Sequence, residues 1–268
     1  MVQRLKGSVF VTGGSSGIGL AVAIASARRG HPVVLMARGE AGLVAAEQRI
    51  RATAPDVPVW AFQVDVTDAK EVARVMARAI ETAGPPERLV LSAGMTLPGR
   101  WDRIAIEDQR RVMEVNYFGC MTVLSAALPH LSGGAGIAFI GSAAGMIGTY
   151  GYGAYAPSKF ALRGLAEVLR VELAPRGIAV TLCQPPDTDT PMLAAERRVR
   201  PAVTSRMAES VALARPVDVA EALLRGMDRK RFLVLPGIGL RLLSLFGPWI
   251  APFVRHKQAR LIRKWGEG

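Results

Sequence analysis

Three polar side chains in the middle of the chain have types and a spacing that suit proton transfer at a carbonyl oxygen. Tyr155 and Lys159 stand four residues apart, and Ser142 lies thirteen residues before the tyrosine. If residues 155–159 are helical, the phenol and the ammonium share one face, where the cation favours phenolate and lowers the tyrosine pKa. A serine hydroxyl beside them can hold a carbonyl or alcohol oxygen while a hydride moves at carbon.

A glycine-rich turn near the N-terminus gives this triplet a cofactor. Alone, the four-residue spacing also describes a surface pair worth roughly 0.2–0.5 kcal/mol. The apolar run Ser8–Thr12 leads into Gly13–Gly19 (GGSSGIG), and an alanine-rich helix is predicted over Leu20–Arg29. Strand, glycine turn and helix are typical of a dinucleotide site, because glycines let the backbone approach the pyrophosphate and the helix N-terminus attracts anionic oxygens.

The residue after the second predicted strand, Pro32–Ala37, indicates which dinucleotide is bound. An acidic side chain there would bind the ribose 2′-hydroxyl of NAD, whereas an arginine suits the 2′-phosphate of NADP. The residue is Arg38, and Glu40 falls past the strand in the next helix. A solvated loop charge is the alternative for Arg38, but its position favours NADP(H), with Ser15 as a second candidate phosphate contact.

Strand-like and helix-like stretches alternate, which predicts a single Rossmann-like α/β domain: a doubly wound parallel sheet of about seven strands with helices on both faces. Further strands are expected near residues 57–65, 89–93, 136–142, 178–184 and 232–235. Further helices are expected near residues 40–53, 69–82, 107–131, 155–174 and 218–227. Ligands bind at the carboxyl ends of such strands, so Asp65, residues 92–94, Ser142 and Pro185 should converge on one crevice.

Composition narrows the class of protein. Half of the 268 residues are hydrophobic, enough for a substantial core, and the two cysteines, Cys120 and Cys183, exclude a disulfide framework and fit a reducing compartment. No histidine or cysteine spacing predicts a metal site. A net charge of +12 fits nucleic acid, anionic lipid or phosphorylated ligands, but no nucleic-acid motif is present. The start runs straight into the first strand, so we expect no signal peptide and a cytoplasmic location.

The last part of the chain differs from the rest. Gly237–Val254 is strongly apolar, with one charge and two prolines, and a basic run follows from Arg255 to Lys264. A membrane-spanning helix needs about 20 apolar residues, so an interfacial segment is favoured over a span, and its basic flank would suit anionic headgroups. A lid and a dimer contact are equally open. We therefore divide the chain into a catalytic domain, 1–236, and a segment, 237–268, that places the protein in the cytoplasm or on the cytoplasmic face of a membrane.

Taken together, these motifs resemble the short-chain dehydrogenase/reductase family of the classical type over about residues 7–235. The resemblance implies that Tyr155 is the proton donor or acceptor, that Lys159 lowers its pKa and binds the nicotinamide ribose, and that Ser142 holds the substrate oxygen. Asn116 would hold a bend and a water of the proton relay. The residues expected to bind NADP(H) are Gly13, Ser15, Ser16, Gly17, Ile18, Gly19, Arg38, Asp65, Val66, Ala93, Gly94, Tyr155, Lys159, Pro185, Thr188 and Thr190.

Two positions depart from the family pattern. The usual Asn-Asn-Ala-Gly after the fourth strand is Leu91-Ser92-Ala93-Gly94, which keeps the backbone approach to the cofactor but lacks the asparagine side chains. The usual Pro-Gly after the sixth strand is Pro185-Pro186. A second proline removes a donor and restricts the residue before it, so this loop should be stiffer.

The loop Pro185–Pro191 (PPDTDTP), the run Tyr155–Glu167 and the apolar tail resemble a subfamily, the 3-ketodihydrosphingosine reductases. That resemblance implies NADPH-dependent reduction of 3-ketosphinganine, a long-chain lipid, to sphinganine. Asp187 and Asp189 would face the substrate amino group, or else be solvated or capping groups. The alternatives are a reductase of another bulky apolar carbonyl, such as a steroid, retinoid or acyl chain, and a non-catalytic NADP-binding scaffold. The family also implies a dimer or tetramer.

Overall fold

A parallel sheet of seven strands forms the centre of the computed structural model, which describes residues 6–209 and 212–266. The strand order is β3-β2-β1-β4-β5-β6-β7, and each neighbouring pair is parallel. The strands are β1 (Ser8–Thr12), β2 (Val33–Ala37), β3 (Val59–Gln63), β4 (Pro86–Leu91), β5 (Gly136–Ile140), β6 (Ala179–Cys183) and β7 (Leu233–Val234). The order reverses between β1 and β4, which is where such sheets bind ligands.

Helices cover both faces of the sheet, which confirms the predicted fold class. They are α1 (Gly17–Arg28), α2 (Glu40–Thr53), α3 (Ala69–Ala83), α4 (Ile106–Met113), α5 (Gly119–Ala127), α6 (Tyr155–Glu172), α7 (Pro191–Arg197), α8 (Ala202–Ala208), α9 (Pro216–Asp228) and α10 (Ile238–Trp265). Side chains alternate along each strand, so Phe10 packs beneath α3, α5 and α6, whereas Val9 and Val11 pack beneath α1 and α9. Strands buried on both faces therefore read as continuous apolar runs.

The predicted helix over residues 107–131 is wrong as a single element. A π-helical turn, Glu114–Phe118, separates α4 from α5, and a 3₁₀ turn follows at Leu128–His130. One extra residue in a helical turn hardly changes the hydrophobic periodicity, so the sequence pattern does not indicate a π turn. Such turns are frequent at functional sites. Asn116 lies in the π turn, and its side chain bonds to the backbone of Met95 outside the helix.

The helices α7 and α8 have no counterpart in the sequence-based prediction. Thr190 caps α7 by accepting a hydrogen bond from the Leu193 N–H at 3.2 Å, and Pro191 occupies the first helical position. A threonine cap followed by proline is a helix-start signal that was available in the sequence. Both helices follow β6, and their side chains reach the crevice at the carboxyl edge of the sheet.

The segment predicted at 237–268 forms α10, of which residues 267–268 lie outside the described residues. The helix is kinked at Phe246, where φ is −117° and ψ is 22°, two residues before Pro248. Proline explains the kink, because its ring displaces the preceding turn. Across the described ranges, no helix combines the length and the apolar character needed to cross a bilayer. The division at 236/237 falls between β7 and α10 and stays a prediction.

Candidate active site

A cavity of about 580 Å³ opens at the carboxyl ends of the strands. It runs from the glycine turn, past Arg38 and Asp65, to Ser142, Tyr155 and Lys159, and ends against α10. Of all the residues predicted for catalysis or cofactor binding, the structure brings every one to this cavity except Gly19 and Asn116. The motifs are far apart in the sequence, but they share one site because they lie at or near the carboxyl ends of the parallel strands.

The glycine turn is built for close approach to a dinucleotide. Gly13 and Gly17 have φ values of +63° and +55°, which favour glycine. A β-carbon on Gly19 would collide with the carbonyl oxygen of Gly13, so Gly19 supports the turn from behind. In the described part of the chain, the Ser16 side chain makes no capping bond to the α1 N-terminus. Backbone N–H groups there can hold pyrophosphate oxygens, so the turn fits a dinucleotide.

The asparagine side chains absent after β4 are replaced by a different support. Thr12 Oγ1 accepts hydrogen bonds from the backbone N–H groups of Ser92 and Ala93 at 3.1 and 3.2 Å. A β-carbon on Gly13 would lie 2.8 Å from the carbonyl oxygen of Ser92, so the two backbones touch. The hydroxyl of β1 therefore fixes the loop after β4 beside the glycine turn.

Arg38 directly follows β2 and projects from the cavity wall. Its side chain is 59% exposed, and a guanidinium nitrogen lies 4.0 Å from Asp65 Oδ2, a pair too long and too solvated to hold it. Burial acts to raise the pKa of Asp65, but hydrogen bonds from Thr67 and the charges of Arg38 and Arg111 outweigh it, so that pKa lies below its ordinary value. The Arg38 guanidinium is thus available to a phosphate on the ribose.

The predicted triplet assembles around the start of α6. Tyr155 is the first residue of α6, and Lys159 lies one turn later with Nζ 5.7 Å from the tyrosine ring centroid. Lys159 Nζ donates to the Ile140 carbonyl oxygen at 3.0 Å. Ser142 Oγ accepts from the Ala144 N–H at 3.1 Å, and its hydroxyl is hydrogen-bonded with the Tyr155 phenol. The three groups therefore meet at one point of the cavity.

The electrostatics of the triplet differ from the sequence-based expectation that Lys159 lowers the tyrosine pKa. Burial raises the pKa of Tyr155; the hydrogen bond with Ser142 lowers it only in part, and the charges of Glu196 and Asp187 raise it further. Burial also lowers the pKa of Lys159 to about 8. In the chain without ligands, desolvation thus outweighs the attraction between ammonium and phenolate. The phenol keeps its proton at neutral pH, which suits a proton donor.

Asn116 supports the site from outside the cavity. It is fully buried; Oδ1 accepts from the Met95 N–H at 2.8 Å, and Nδ2 donates to the Met95 carbonyl and to Ser158 Oγ, both at 2.9 Å. Ser158 Oγ donates in turn to the Tyr155 carbonyl oxygen at 2.7 Å. Asn116 therefore joins the loop after β4 to the first turn of α6. Its role in a water relay stays a prediction.

The loop after β6 closes over the glycine turn. The Pro185 carbonyl accepts from the Ala143 N–H at 2.9 Å, which ties the loop to the Ser142 turn. A β-carbon on Gly17 would lie 3.1 Å from the Thr190 methyl carbon. The Thr188 hydroxyl donates to the Pro186 carbonyl at 2.8 Å. The threonines thus stabilise the loop as well as lining the site.

The polar residues of the cavity region that were not predicted include Tyr152, Glu196 and Arg200. The Tyr152 hydroxyl donates to Glu196 Oε1 at 2.6 Å, and Arg200 bonds to both Glu196 and Asp187. Arg200 lies three residues past the end of α7, and no helix was predicted in this region, so the four-residue spacing of Glu196 and Arg200 was only a weak signal. Of the two predicted loop acids, Asp187 lines the cavity and Asp189 is exposed away from it.

The far wall of the cavity is apolar. Leu240, Leu243 and Val254 of α10 line it. Gln258 fastens α10 over the site: Nε2 donates to the Gly148 carbonyl at 3.0 Å, and Oε1 accepts from the Tyr150 N–H at 2.8 Å. One face of α10 is therefore a wall of the cavity, in keeping with the lid alternative.

Comparison with known proteins identifies the family of this chain. Residues 8–200 match the family model described as short chain dehydrogenase, and the chain belongs to that family of oxidoreductases. It is 39% identical over 235 residues to the 3-dehydrosphinganine reductase of Danio rerio, covering 85% of this chain and 71% of that protein. It is 37% identical over 229 residues to the 3-ketodihydrosphingosine reductase of Bos taurus, covering 84% and 69%. The family resemblance predicted from the motifs is confirmed.

A solved relative shares the whole architecture. The short-chain dehydrogenase from Sphingobium yanoikuyae in complex with NADPH superposes with a TM-score of 0.77 at 29% identity, covering 93% of this chain and 96% of that one. The roles of individual site residues are predictions that the geometry supports and that substitution can test.

Replacing Lys159 by methionine should change how stability depends on pH. Between about pH 8 and pH 10, folded Lys159 loses its proton while the unfolded chain keeps it, so the unfolded state binds more protons and the free energy of unfolding rises with pH. Relative to Lys159→Met, the wild type should gain about 2–3 kcal/mol across this window. Urea unfolding without cofactor measures it, with exposed Lys70→Met as the control. If the free energy of unfolding changed with pH in the same way in the wild type and in Lys159→Met, the lowered pKa of Lys159 would be contradicted.

Proposed function

We propose that this chain reduces 3-ketosphinganine, also called 3-dehydrosphinganine, to sphinganine with NADPH. The observation that carries the proposal is that one cavity joins a dinucleotide turn, a protonated Tyr155 and the apolar wall of α10. A ketone with a long alkyl chain matches these three parts. The names of the relatives from Danio rerio and Bos taurus point to the same substrate.

Each polar group of the triplet has a defined task in this reduction. When bound, NADPH supplies the hydride that the carbonyl carbon receives. Tyr155 donates its proton to the carbonyl oxygen, and Ser142 holds that oxygen by a hydrogen bond. Lys159, held by the Ile140 carbonyl, stabilises the phenolate that remains on Tyr155.

NADPH is the proposed reductant because of the charge at the end of β2. Arg38 carries a guanidinium at the cavity wall, where the 2′-phosphate of the adenosine ribose is expected, and Ser15 lines the same corner. The relative from Sphingobium yanoikuyae was solved with NADPH.

The apolar wall explains a lipid substrate. Leu240, Leu243 and Val254 of α10, with Met192 and Ala208, would contact the alkyl chain. Burying each methylene contributes about 0.8 kcal/mol, so a long chain gains much of its affinity there. A steroid or retinoid carbonyl would use the same triplet, and a substrate panel separates these possibilities.

The outer face of α10 supports a peripheral position on a membrane. Ile238, Leu242, Leu245, Trp249 and Phe253 follow each other at three- or four-residue spacing and are 47–77% exposed. Residues 238–266 contain several arginines and lysines and no acidic residue. An exposed apolar stripe with basic neighbours suits an anionic lipid surface. We place the protein in the cytoplasm, in contact with the cytoplasmic face of a membrane, where its substrate dissolves.

Exposed apolar side chains near α5 and along α6 support assembly into a dimer or tetramer. Phe118, Phe160, Val168 and Val171 are 42–72% exposed. Exposed apolar side chains of this kind are frequent at protein interfaces. The α6 helix also carries Tyr155 and Lys159, so assembly through this helix would also stiffen the site.

Substituting Tyr155 by phenylalanine should lower kcat for 3-ketosphinganine by about 10²–10⁴-fold, since the ring stays but the proton donor is lost. NADPH consumption measures the rate, and nucleotide fluorescence checks that NADPH still binds. Tyr117→Phe, outside the cavity, is the matched control. An unchanged rate in Tyr155→Phe would refute the catalytic assignment, and turnover of steroids but not 3-ketosphinganine would refute the substrate.

Substituting Arg38 by alanine should raise KM for NADPH by roughly 10- to 100-fold, the scale of one lost hydrogen bond to a charged group. KM for NADH should change little, because NADH has no 2′-phosphate. Steady-state kinetics with both nucleotides provide the measurement, with exposed Arg49→Ala as control. Equal effects on both nucleotides would contradict a phosphate contact.

Replacing Trp249 and Phe253 together by serine should reduce co-sedimentation with phosphatidylglycerol vesicles, because both side chains are 77% exposed on the outer stripe of α10. Exposed Val44→Ser on α2 serves as the control. Equal pelleting of the double variant and the wild type would remove the membrane-surface proposal. Catalysis could then be tested separately in detergent.

A further inference from the structure

A buried polar cluster lines the cavity next to Tyr155 and has no task in the mechanism above. It consists of Tyr152, Asp187, Glu196 and Arg200, called the Glu196 cluster below. Glu196 is 7% exposed, and the Arg200 side chain is 2% exposed. Tyr152, Asp187 and Glu196 all line the cavity. Charged groups are rarely buried beside a substrate cavity without a ligand or structural reason.

The hydrogen bonds that hold the Glu196 carboxylate meet at one of its two oxygens. Tyr152 donates to Glu196 Oε1 at 2.6 Å, and Arg200 Nε donates to the same atom at 2.8 Å. Arg200 Nη1 donates to Asp187 Oδ2 at 2.9 Å. The hydrogen bonds from Tyr152 and Arg200 thus converge on Oε1, and Glu196 lines the cavity, so Oε2 is the carboxylate oxygen that can accept a hydrogen bond from a ligand.

The Glu196 cluster also has a charge imbalance. Two carboxylates face one guanidinium, and burial together with the charge of Glu196 raises the pKa of Tyr152, so the phenol stays neutral. Lys159, which also lines the cavity, donates to the Ile140 carbonyl and not to the cluster. The cluster therefore carries one excess negative charge inside the cavity, which a cationic ligand group would neutralise.

The Glu196 cluster lies at the right place for an amine beside the reacting carbonyl. The ring centroids of Tyr152 and Tyr155 are 5.6 Å apart. In a 2-amino ketone, the nitrogen and the carbonyl oxygen are about 3 Å apart, the same covalent unit as N–Cα–C=O in a peptide. Glu196 and Asp187 also act electrostatically on Tyr155, so a ketone oxygen bound at Tyr155 carries its neighbouring ammonium group within reach of their charges.

We propose that Glu196, assisted by Asp187, binds the 2-ammonium group of an amino-ketone substrate, and that Tyr152 and Arg200 are positioning residues that fix the Glu196 carboxylate. The inference rests on the proposed function and specifies the headgroup that the site selects. It also predicts an effect on turnover. Glu196 and Asp187 oppose ionisation of Tyr155. A bound ammonium cancels that charge, so the phenol releases its proton more readily.

The test compares 3-ketosphinganine with its des-amino analogue, 1-hydroxyoctadecan-3-one, in three proteins: wild type, Glu196→Gln and Glu209→Gln. Glu209 is an exposed acid that follows α8 and pairs with Arg206 at the surface. In the wild type, the ratio of kcat/KM for the amino ketone to that for the analogue should be at least about tenfold. In Glu196→Gln this ratio should fall about 10- to 100-fold, and in Glu209→Gln it should stay at the wild-type value.

The kinetic constants separate binding from a merely structural role. Loss of the ammonium contact should raise KM for the amino ketone more than KM for the analogue, whereas kcat for the analogue should not fall, because Glu196→Gln also removes a charge that opposes ionisation of Tyr155. A general loss of structure would lower both substrates together and leave the ratio unchanged, which would overturn the proposal. If the wild type reduces both ketones equally well, the amine site is refuted while the reductase function stands. If it reduces neither, the proposed function fails as well.

A measurement on the wild type alone covers the case in which Glu196→Gln does not fold. Sphinganine should inhibit the reduction of 1-hydroxyoctadecan-3-one at least about tenfold more strongly than octadecane-1,3-diol does, because only sphinganine carries the ammonium group. Equal inhibition by the two compounds would overturn the proposal. Raising the pH above the pKa of the amine should weaken sphinganine and leave the diol as it was.

Discussion

The burial of a phenol and an ammonium at the same point is the constraint on which the site depends. Tyr155 and Lys159 are adjacent on α6, and burial destabilises the charged form of each. The tyrosine therefore keeps its proton, while Lys159, whose pKa burial lowers to about 8, stays mostly charged at neutral pH and donates to the Ile140 carbonyl. Before a substrate binds, the site therefore holds a protonated phenol as proton donor. Beside it lies a cation that can stabilise the phenolate formed when the proton leaves.

The parallel sheet determines where Tyr155 and Lys159 meet the rest of the active site. Helices cover both faces of the sheet, so a ligand binds at the ends of the strands. The strand order reverses between β1 and β4, where such sheets form their ligand crevice. Thr12 at the end of β1 holds the loop after β4, and Pro185 after β6 holds the turn after β5. Neighbouring strand ends thus fix one another through hydrogen bonds to the loop backbones. The active-site loops are therefore positioned by the sheet together with side chains such as those of Thr12 and Asn116.

The fold was largely predictable from sequence because apolar strands alternate with helices. The triplet was predictable because its spacing depends on one helix and one strand end. The π turn at Glu114–Phe118 was not, since one extra residue in a turn hardly alters hydrophobic periodicity. The raised pKa of Tyr155 was not predicted, because its burial depends on all the residues around the cavity. The four-residue spacing identifies only Lys159 as its neighbour. No helix was predicted around Glu196, so the sequence did not indicate that its side chain faces the cavity.

The helix α10 has one face toward the cavity and one face toward solvent. Its inner residues, such as Leu243, line the cavity, and its outer residues, such as Trp249, are exposed. Gln258 ties the helix to the loop at residues 148–150, which precedes Tyr155. The position of α10 is therefore coupled to the loop that carries Tyr152, and so to the Glu196 cluster. The proposed lid and the proposed membrane contact are compatible, because they use opposite faces of this helix.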